Sequence, residues 1–323
     1  MKILEKAKEV RDIVYCLIKE KMKFLCLYTT NRCNSRCKIC SIWSFQNKID
    51  LRPEAVEKIL SSGIMKKNPE IGLTGGEFIL SPYSHEIFEV CKRYTPTKNI
   101  IIYSNGLLTK NLVDFCKKND VERVQISLDG RRETYKKMRG VDGYERVIET
   151  IKSLKDINVD VRLTFVLSPL NGVRDYLHVK NISKMYNLSE LGVIVYDTRE
   201  IFQPRIKTKK LKDLRPYHKS IYLNSYYKWR DGKINLSCLN PRIILSVMEN
   251  GDIVYCQNFG RKLIMGNVYE NNMEKIKEKI FETSKKYINC NECWLSSQRA
   301  PDNLLHYLKI DGIMKKIIMG KTR

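Results

Sequence analysis

Residues 24–40 read Phe-Leu-Cys-Leu-Tyr-Thr-Thr-Asn-Arg-Cys-Asn-Ser-Arg-Cys-Lys-Ile-Cys. The first seven, Phe24–Thr30, are apolar and rich in β-formers, as a buried strand requires. They run at once into a polar loop, Asn31–Cys40, that spaces Cys33, Cys37 and Cys40 as C-x3-C-x2-C. With 11 cysteines in 323 residues, such spacing arises by chance on the order of once in a hundred chains. A structural zinc site takes four protein ligands, and no fourth Cys or His lies near this triad. Three thiolates holding four irons leave one iron open to a small molecule, which is a catalytic arrangement.

Downstream the same motif of strand, special turn and helix recurs. Strands are expected at Ile71–Thr74, Asn99–Tyr103, Val121–Leu128, Val159–Leu167 and Leu191–Tyr196. Helices are expected at Pro53–Leu60, 84–94, 109–118, Tyr144–Leu154 and 175–187. The strands close into Thr74-Gly75-Gly76-Glu77, Ser104-Asn105-Gly106 and Ser127-Leu128-Asp129-Gly130. Six β–α steps predict a parallel sheet with helices outside and right-handed crossovers. In α/β barrels the loops after the strands assemble the active site, and that is where the unusual residues fall. The fold class is therefore read as α/β, a partial (β/α)6 TIM-like barrel with a small C-terminal extension.

The length suits one large domain and a small one, and 43% hydrophobic residues exclude a disordered chain. No apolar run approaches the ~20 residues of a membrane span. The N-terminus, Met1–Asp12, lacks the apolar stretch of a secretion signal, so a cytoplasmic location is expected. In that compartment clustered cysteines hold metal or do chemistry. Cys238, Cys256, Cys290 and Cys293 make a second set of four thiols, in the pattern C-x12-G-x4-C followed by C-x2-C. Spacing alone suits zinc as well as an iron–sulfur cluster. Cys16, Cys26, Cys91 and Cys116 stand alone in apolar surroundings and are expected in the core.

Together these residues resemble the radical S-adenosylmethionine (radical SAM) superfamily, in its SPASM/twitch branch. The resemblance is carried by Cys33-x3-Cys37-x2-Cys40, Thr74-Gly75-Gly76-Glu77, Ser127-Leu128-Asp129-Gly130 and Met138-Arg139-Gly140. In the extension it is carried by Cys238-x12-Gly251-x4-Cys256 and Met265-Gly266-Asn267-Val268. It covers about residues 22–298. It implies an oxidoreductase or modifying enzyme in which Cys33, Cys37 and Cys40 hold a catalytic [4Fe–4S] cluster whose fourth iron chelates S-adenosylmethionine. One electron then yields a 5′-deoxyadenosyl radical that takes hydrogen from a peptide or small polar metabolite. The electron would come from a ferredoxin-like or flavodoxin-like reductant. The implied S-adenosylmethionine contacts are Gly75, Gly76, Glu77, Asn105, Ser127, Asp129 and Arg139, with Thr164 and Leu167 as further candidates for the pocket. The glycine pair would admit the ligand and Glu77 would meet its ammonium group. Arg139 would pair its carboxylate or, as the bland alternative, face solvent.

Cys238, Cys256, Cys290 and Cys293 would hold a second, auxiliary [4Fe–4S] cluster, with zinc as the rival. No cysteine follows Cys293, which fits the shorter, twitch-type extension with one auxiliary cluster. The residue before the third cysteine, often aromatic in this superfamily, is Ile39; Trp43 or Tyr28 would supply the stacking surface instead.

The expected domain limits are an N-terminal helix at 1–21, the core barrel at 22–202 and a basic linker and helix at 203–236. The auxiliary-cluster domain follows at 237–300, then a basic amphipathic tail at 301–323. The net charge is +23, and residues 203–219 carry seven basic and one acidic residue. A basic stretch of this kind suits an acidic substrate, a nucleic acid such as tRNA, or plain solvent. A helix is expected at His218–Trp229. The final segment, Asn303–Arg323, alternates apolar and basic residues and reads as an amphipathic helix docked on the barrel, with a membrane surface as the minority alternative. A zinc-stabilised binding module is the non-enzymatic alternative for the whole chain.

Overall fold

The computed structural model describes residues 2–196, 211–258, 260–294 and 296–320. Helix α1 (Lys2–Lys19) leads into β1 (Met22–Tyr28). The core then alternates: α2 (Pro53–Ser61), β2 (Met65–Thr74), α3 (Ser84–Tyr94), β3 (Ile100–Ser104), α4 (Thr109–Asn119) and β4 (Arg123–Ser127). It continues through α5 (Arg132–Arg139), α6 (Tyr144–Asp156), β5 (Asp160–Leu167), α7 (Val173–Met185) and β6 (Glu190–Val195). The extension comprises α8 (Ile221–Arg230), β7 (Ile244–Val247), β8 (Asp252–Val254), β9 (Ile264–Asn267), α9 (Met273–Tyr287), α10 (Ser296–Tyr307) and α11 (Asp311–Ile318).

Strands β1 to β6 lie in chain order and pair in parallel, giving the expected (β/α)6 half-open barrel. Leu25, Leu27, Ile71, Leu73, Ile100, Ile102, Val124 and Ile126 are fully buried against the helices. The alternate residues face the barrel interior, because side chains alternate across a strand. At the N-terminal rim this interior meets ion pairs: Lys23–Glu70 at 2.5 Å, Arg123–Asp160 at 3.3 Å and Arg162–Glu190 at 2.9 Å. The C-terminal rim carries Thr74, Ser104 and Ser127, beside the triad loop.

The sheet continues into the extension. Strand β7 pairs in parallel with β1, from Phe24 with Ile244 to Leu27 with Val247. Strands β8 and β9 follow antiparallel, so one nine-stranded sheet joins core and extension. Helix α8 packs on the extension: Trp229 Nε1 donates to Asn291 Oδ1 at 2.9 Å and Tyr222 Oη to Trp294 O at 2.9 Å.

Five expectations differ from the structure. Strand β2 begins at Met65 rather than Ile71, because edge pairing with Met22 continues past the polar Asn68-Pro69. Helix α5 was not expected; it is short and strongly charged, with only Tyr135, Met138 and Arg139 buried. The segment Asn303–Arg323 is two helices rather than one, since Lys309 takes a left-handed φ of 58° between α10 and α11. Its apolar face docks on α1 rather than on the barrel: Leu305, Met314 and Ile318 pack with Ile13 and Leu17. Residues 203–210 of the basic stretch 203–219 lie outside the described residues, and the helix after it begins at Ile221 rather than His218.

Removing the Leu305 side chain deletes a fully buried contact in that seam. Leu305→Ala is expected to cost about 2–5 kcal/mol in urea unfolding. Ile313→Ala, at a side chain 54% exposed on the same tail, is expected to change stability by less than about 0.5 kcal/mol. Equal effects at the two positions would show that the tail is not docked.

Candidate active site

The cysteine triad sits on a loop held from two sides by main chain. On the β2 side, Gly76 N donates to Thr30 O at 2.7 Å and Glu77 N to Arg32 O at 2.8 Å. The glycines make this approach possible. A Cβ on Gly75 would stand 2.4 Å from Thr30 O, and one on Gly76 would stand 2.0 Å from Arg32 O. On the α5 side, Arg36 N donates to Arg139 O at 2.9 Å and Lys38 N to Met138 O at 2.8 Å. Ser35 Oγ adds a bond to Arg139 O at 3.0 Å. Gly140 ends α5 with φ 67°, and a Cβ there would meet Arg36 O at 2.3 Å. The glycines therefore first admit the cysteine loop; approach to a ligand comes second.

Cys33, Cys37 and Cys40 line one cavity of about 170 Å³ with Gly75, Gly76, Tyr103, Asn105, Ser127 and Arg139. Burial pushes the Cys33 thiol up to about 11, so it is a proton-bound thiol until a metal displaces the proton. Trp43 also lines the cavity, and its indole N–H donates to Cys40 O at 2.8 Å and Cys37 O at 3.2 Å. Tyr28 packs instead beside Ile42, Met248 and Val254.

Two acidic residues expected at the ligand lie behind the cavity wall. Glu77 is buried, and its carboxylate accepts from Ser104 Oγ at 2.7 Å and Asn105 N at 2.8 Å. Burial pushes its pKa up to about 7 against these hydrogen bonds. Asp129 is also buried; it pairs with Arg139 Nη2 at 2.5 Å and accepts from Val166 N at 2.8 Å. Arg139 is buried rather than solvated, and its Nη1 lies 3.7 Å from Cys37 Sγ. Burial disfavours its charge, but Asp129 and Cys37 outweigh that and hold it firmly protonated. Asn105 lines the cavity while shaping its own turn, accepting from Leu107 N at 2.9 Å. Thr164 and Leu167 do not line the cavity.

The second cysteine set converges by topology. Cys238 enters and Cys256 leaves the antiparallel pair β7–β8, so both lie at the same end of it. Cys238 N donates to Ile288 O at 2.8 Å, which brings in the Cys290–Cys293 turn after α9. Burial raises the Cys238 thiol well above its ordinary value, and Asp302, Cys256 and Cys293 add to the effect. Neither set forms a closed coordination sphere among the described residues. The donor chemistry around the cavity, three thiols of which Cys37 is buried and Cys33 and Cys40 half-buried, fits iron–sulfur ligation with one iron left open.

Residues 27–175 match the family described as the Radical SAM superfamily. A probable GTP 3′,8-cyclase of Saccharolobus islandicus is 30% identical over 221 residues, 67% of this chain and 68% of that protein. The chain belongs to the radical SAM superfamily. A probable GTP 3′,8-cyclase of Thermococcus kodakarensis is 31% identical over 150 residues, 45% of this chain and 47% of that protein. Among solved structures, Streptococcus suis SuiB bound to precursor peptide SuiA superposes with TM-score 0.62 at 18% identity, covering 85% of this chain and 69% of that one. Native anSMEcpe with bound AdoMet superposes with TM-score 0.59 at 16% identity, covering 93% and 99%. Both likenesses show the shared fold. This radical SAM chain is thus an enzyme of a superfamily that uses S-adenosylmethionine and a catalytic [4Fe–4S] cluster, and the non-enzymatic alternative is set aside. No described helix is long and apolar enough to cross a membrane.

Sequence reasoning did not find Trp43's bonds to the cysteine carbonyls, the Ser104–Glu77 contact or Arg299. The Ser104–Glu77 contact and the Arg299 bond to Ser237 O have no local signature, since their partners lie 27 and 62 residues apart.

Gly76→Ala is expected to remove the iron of the catalytic cluster, about four per chain, because its Cβ would displace the cysteine loop. Iron counting on anaerobically reconstituted protein reads this. Glu77 gives a pH prediction. Its folded pKa of about 7 lies above its ordinary 4.5, so the folded state holds a proton that the unfolded chain releases. Stability from this group falls as pH rises through that window, by about 3 kcal/mol at most. Wild type minus Glu77→Gln stability in urea should therefore decline from pH 4.5 to 7 and flatten above about 8. A flat difference across that range would place the carboxyl in an ordinary environment.

Proposed function

We propose that this chain is a radical SAM enzyme that abstracts hydrogen from a peptide or small polar metabolite and completes a net oxidation or bond formation. The observation that carries the reading is the four-thiol set of the extension, Cys238, Cys256, Cys290 and Cys293. When bound, the catalytic cluster and S-adenosylmethionine supply a 5′-deoxyadenosyl radical. This chain's own residues do the rest. Cys33, Cys37 and Cys40, which line the cavity, would hold the catalytic cluster there. Gly75, Gly76, Ser127 and Asn105 form its walls and orient the ligand there. Glu77 and Asp129 act from behind: Glu77 fixes the end of β3, and Asp129 fixes Arg139, which sets positive charge beside Cys37. Arg139 is thereby turned toward cluster and aspartate rather than left free as a carboxylate clamp.

An auxiliary [4Fe–4S] cluster held by four thiolates would have no iron free for substrate. It would then accept or relay the electron that a net oxidation must remove. Gln257, next to Cys256, donates to Cys26 Sγ on β1 at 3.6 Å, so the extension meets the core strand that leads to the triad. The fold shared with SuiB and anSMEcpe, both solved with peptides, supports a peptide substrate. A second reading is favoured by the 30% identity over 221 residues to a probable GTP 3′,8-cyclase, namely cyclisation of GTP. The excess of positive charge suits that anion. Modification of a nucleic acid is the weaker extension of the same charge argument. The reductant is proposed as a ferredoxin-like or flavodoxin-like protein.

Anaerobic reconstitution should give about eight irons per chain, with 5′-deoxyadenosine formed from S-adenosylmethionine and dithionite. Cys33→Ala should abolish that product. Cys290→Ala should keep S-adenosylmethionine cleavage but lose turnover. Conversion of GTP at a rate above peptide and metabolite candidates would replace the leading reading with the second. Zinc at the extension would remove the electron-transfer role.

A further inference from the structure

One side chain touches the backbone beside Cys238 and in the Cys290–Cys293 turn, two of the three cysteine-bearing segments of the extension. Arg299, on α10, is fully buried. Its Nε donates to Cys293 O at 3.0 Å and its Nη2 to Cys290 O at 3.1 Å. Its Nη1 donates to Ser237 O, the residue before Cys238, at 3.2 Å, and to Asp302 Oδ2 at 3.2 Å. Asp302 in turn accepts from Leu239 N, the residue after Cys238, through Oδ1 at 3.0 Å. The pair therefore grips 237–239 and 290–293 at once, segments some fifty residues apart.

A buried arginine is costly unless its charge and its donors are met. Here one carboxylate and three carbonyls meet them, and a planar fork of fixed donors suits several acceptors in one plane better than an ammonium does. A core that needed only packing at this point would be served as well by an apolar residue of the same volume. What the apolar residue lacks is a positive charge beside several thiols. The guanidinium stands against the backbone of the Cys290–Cys293 turn and of Ser237, the residue before Cys238. Four thiolates around a [4Fe–4S] core are net anionic, and reduction adds one more negative charge. A fixed cation beside the sulfurs favours the reduced state, because charge near the cluster is one determinant of its potential.

We propose that Arg299 is a positioning residue for the Cys238, Cys256, Cys290 and Cys293 site, holding its segments in ligating register and raising the potential of the cluster bound there. Asp302 is the counter-charge that orients it. The redox half of this rests on the iron–sulfur reading of the site; the register half does not.

The test uses the full chain with Cys33, Cys37 and Cys40 changed to Ala, so that only the extension's metal is observed. Arg299→Gln, Arg299→Lys and Asp302→Asn are made in that background. Iron and zinc are counted, and the reduced protein is titrated by electron paramagnetic resonance. The parent should hold about four irons. Arg299→Gln should lose more than half of them, or keep them with reduction at least tenfold less favourable, a fall of 59 mV for one electron. Arg299→Lys should restore most of the iron. Asp302→Asn, which keeps the cation and removes its counter-charge, should shift the potential upward. A purely structural role would not give opposite signs at the two positions. Full iron and an unchanged potential in both Arg299→Gln and Asp302→Asn would overturn the proposal. Zinc in the parent would instead overturn the iron–sulfur reading and the redox half. The register half would then be supported by loss of zinc in Arg299→Gln and overturned by its full retention. Should Arg299→Gln fail to fold by circular dichroism, the sign of the Asp302→Asn shift decides, a downward or null shift overturning the proposal.

Discussion

Everything at the candidate active site depends on how the loop carrying Cys33, Cys37 and Cys40 is held. It has no helix or strand of its own to fix it beyond a single bridge between Thr30 and Asp50. Its position comes from main-chain bonds to the end of β2 on one side and to the end of α5 on the other. Backbone can meet backbone this closely only where no Cβ intervenes, so each side is glycine: Gly75 and Gly76 on one, Gly140 on the other. The glycines, the cavity and the thiols are consequences of one packing requirement. A loop placed by main-chain bonds also keeps its geometry when the cysteines bind metal, since the ligands themselves are not what holds it.

The second organising contact is the pairing of β1 with β7. A half-barrel leaves its first strand with an unpaired edge, which is a liability in any sheet. Here the extension caps that edge, and Lys23 N and Phe24 N both donate to Ile243 O just before β7. The same strand therefore carries the catalytic triad beyond its C-terminal end and the extension along its flank. Each cysteine set also has a buried arginine–aspartate pair beside it, Arg139 with Asp129 and Arg299 with Asp302. In both pairs the aspartate neutralises one side of the guanidinium, and the other side faces cysteine sulfur or cysteine carbonyls.

The net charge of +23 is not concentrated at the cavity. Among the described residues that line it, Arg139 is the charged side chain, and it is already paired. Many of the other charges are spent on ion pairs at the N-terminal rim and over the helices. What attracts an anionic substrate, if one is used, is therefore the field of the surface rather than a cationic pocket wall. The helix after the basic stretch belongs structurally with the extension, where Trp229 and Tyr222 bond to the Cys290–Cys293 turn.

By itself the sequence determined the parts whose information is local. The spacing of Cys33, Cys37 and Cys40, the alternation of apolar strands with amphipathic helices, and the turn residues after each strand are short-range patterns. They were enough for the half-barrel and for the superfamily. Short-range patterns failed where a segment's state is set by distant partners. Helix α5 has little apolar face, and forms where Arg139 can reach Asp129 and Cys37. The C-terminal segment breaks into two helices at Lys309, which takes a left-handed φ. Only the tertiary structure decided that Gly75-Gly76 seats the cysteine loop, that Glu77 and Asp129 stand behind the cavity rather than in it, and that Arg299 joins the cysteine segments. Several of these contacts join residues tens of positions apart, such as Gly76 with Arg32, Glu77 with Ser104 and Arg299 with Ser237, and a local window does not specify which backbone a glycine will admit.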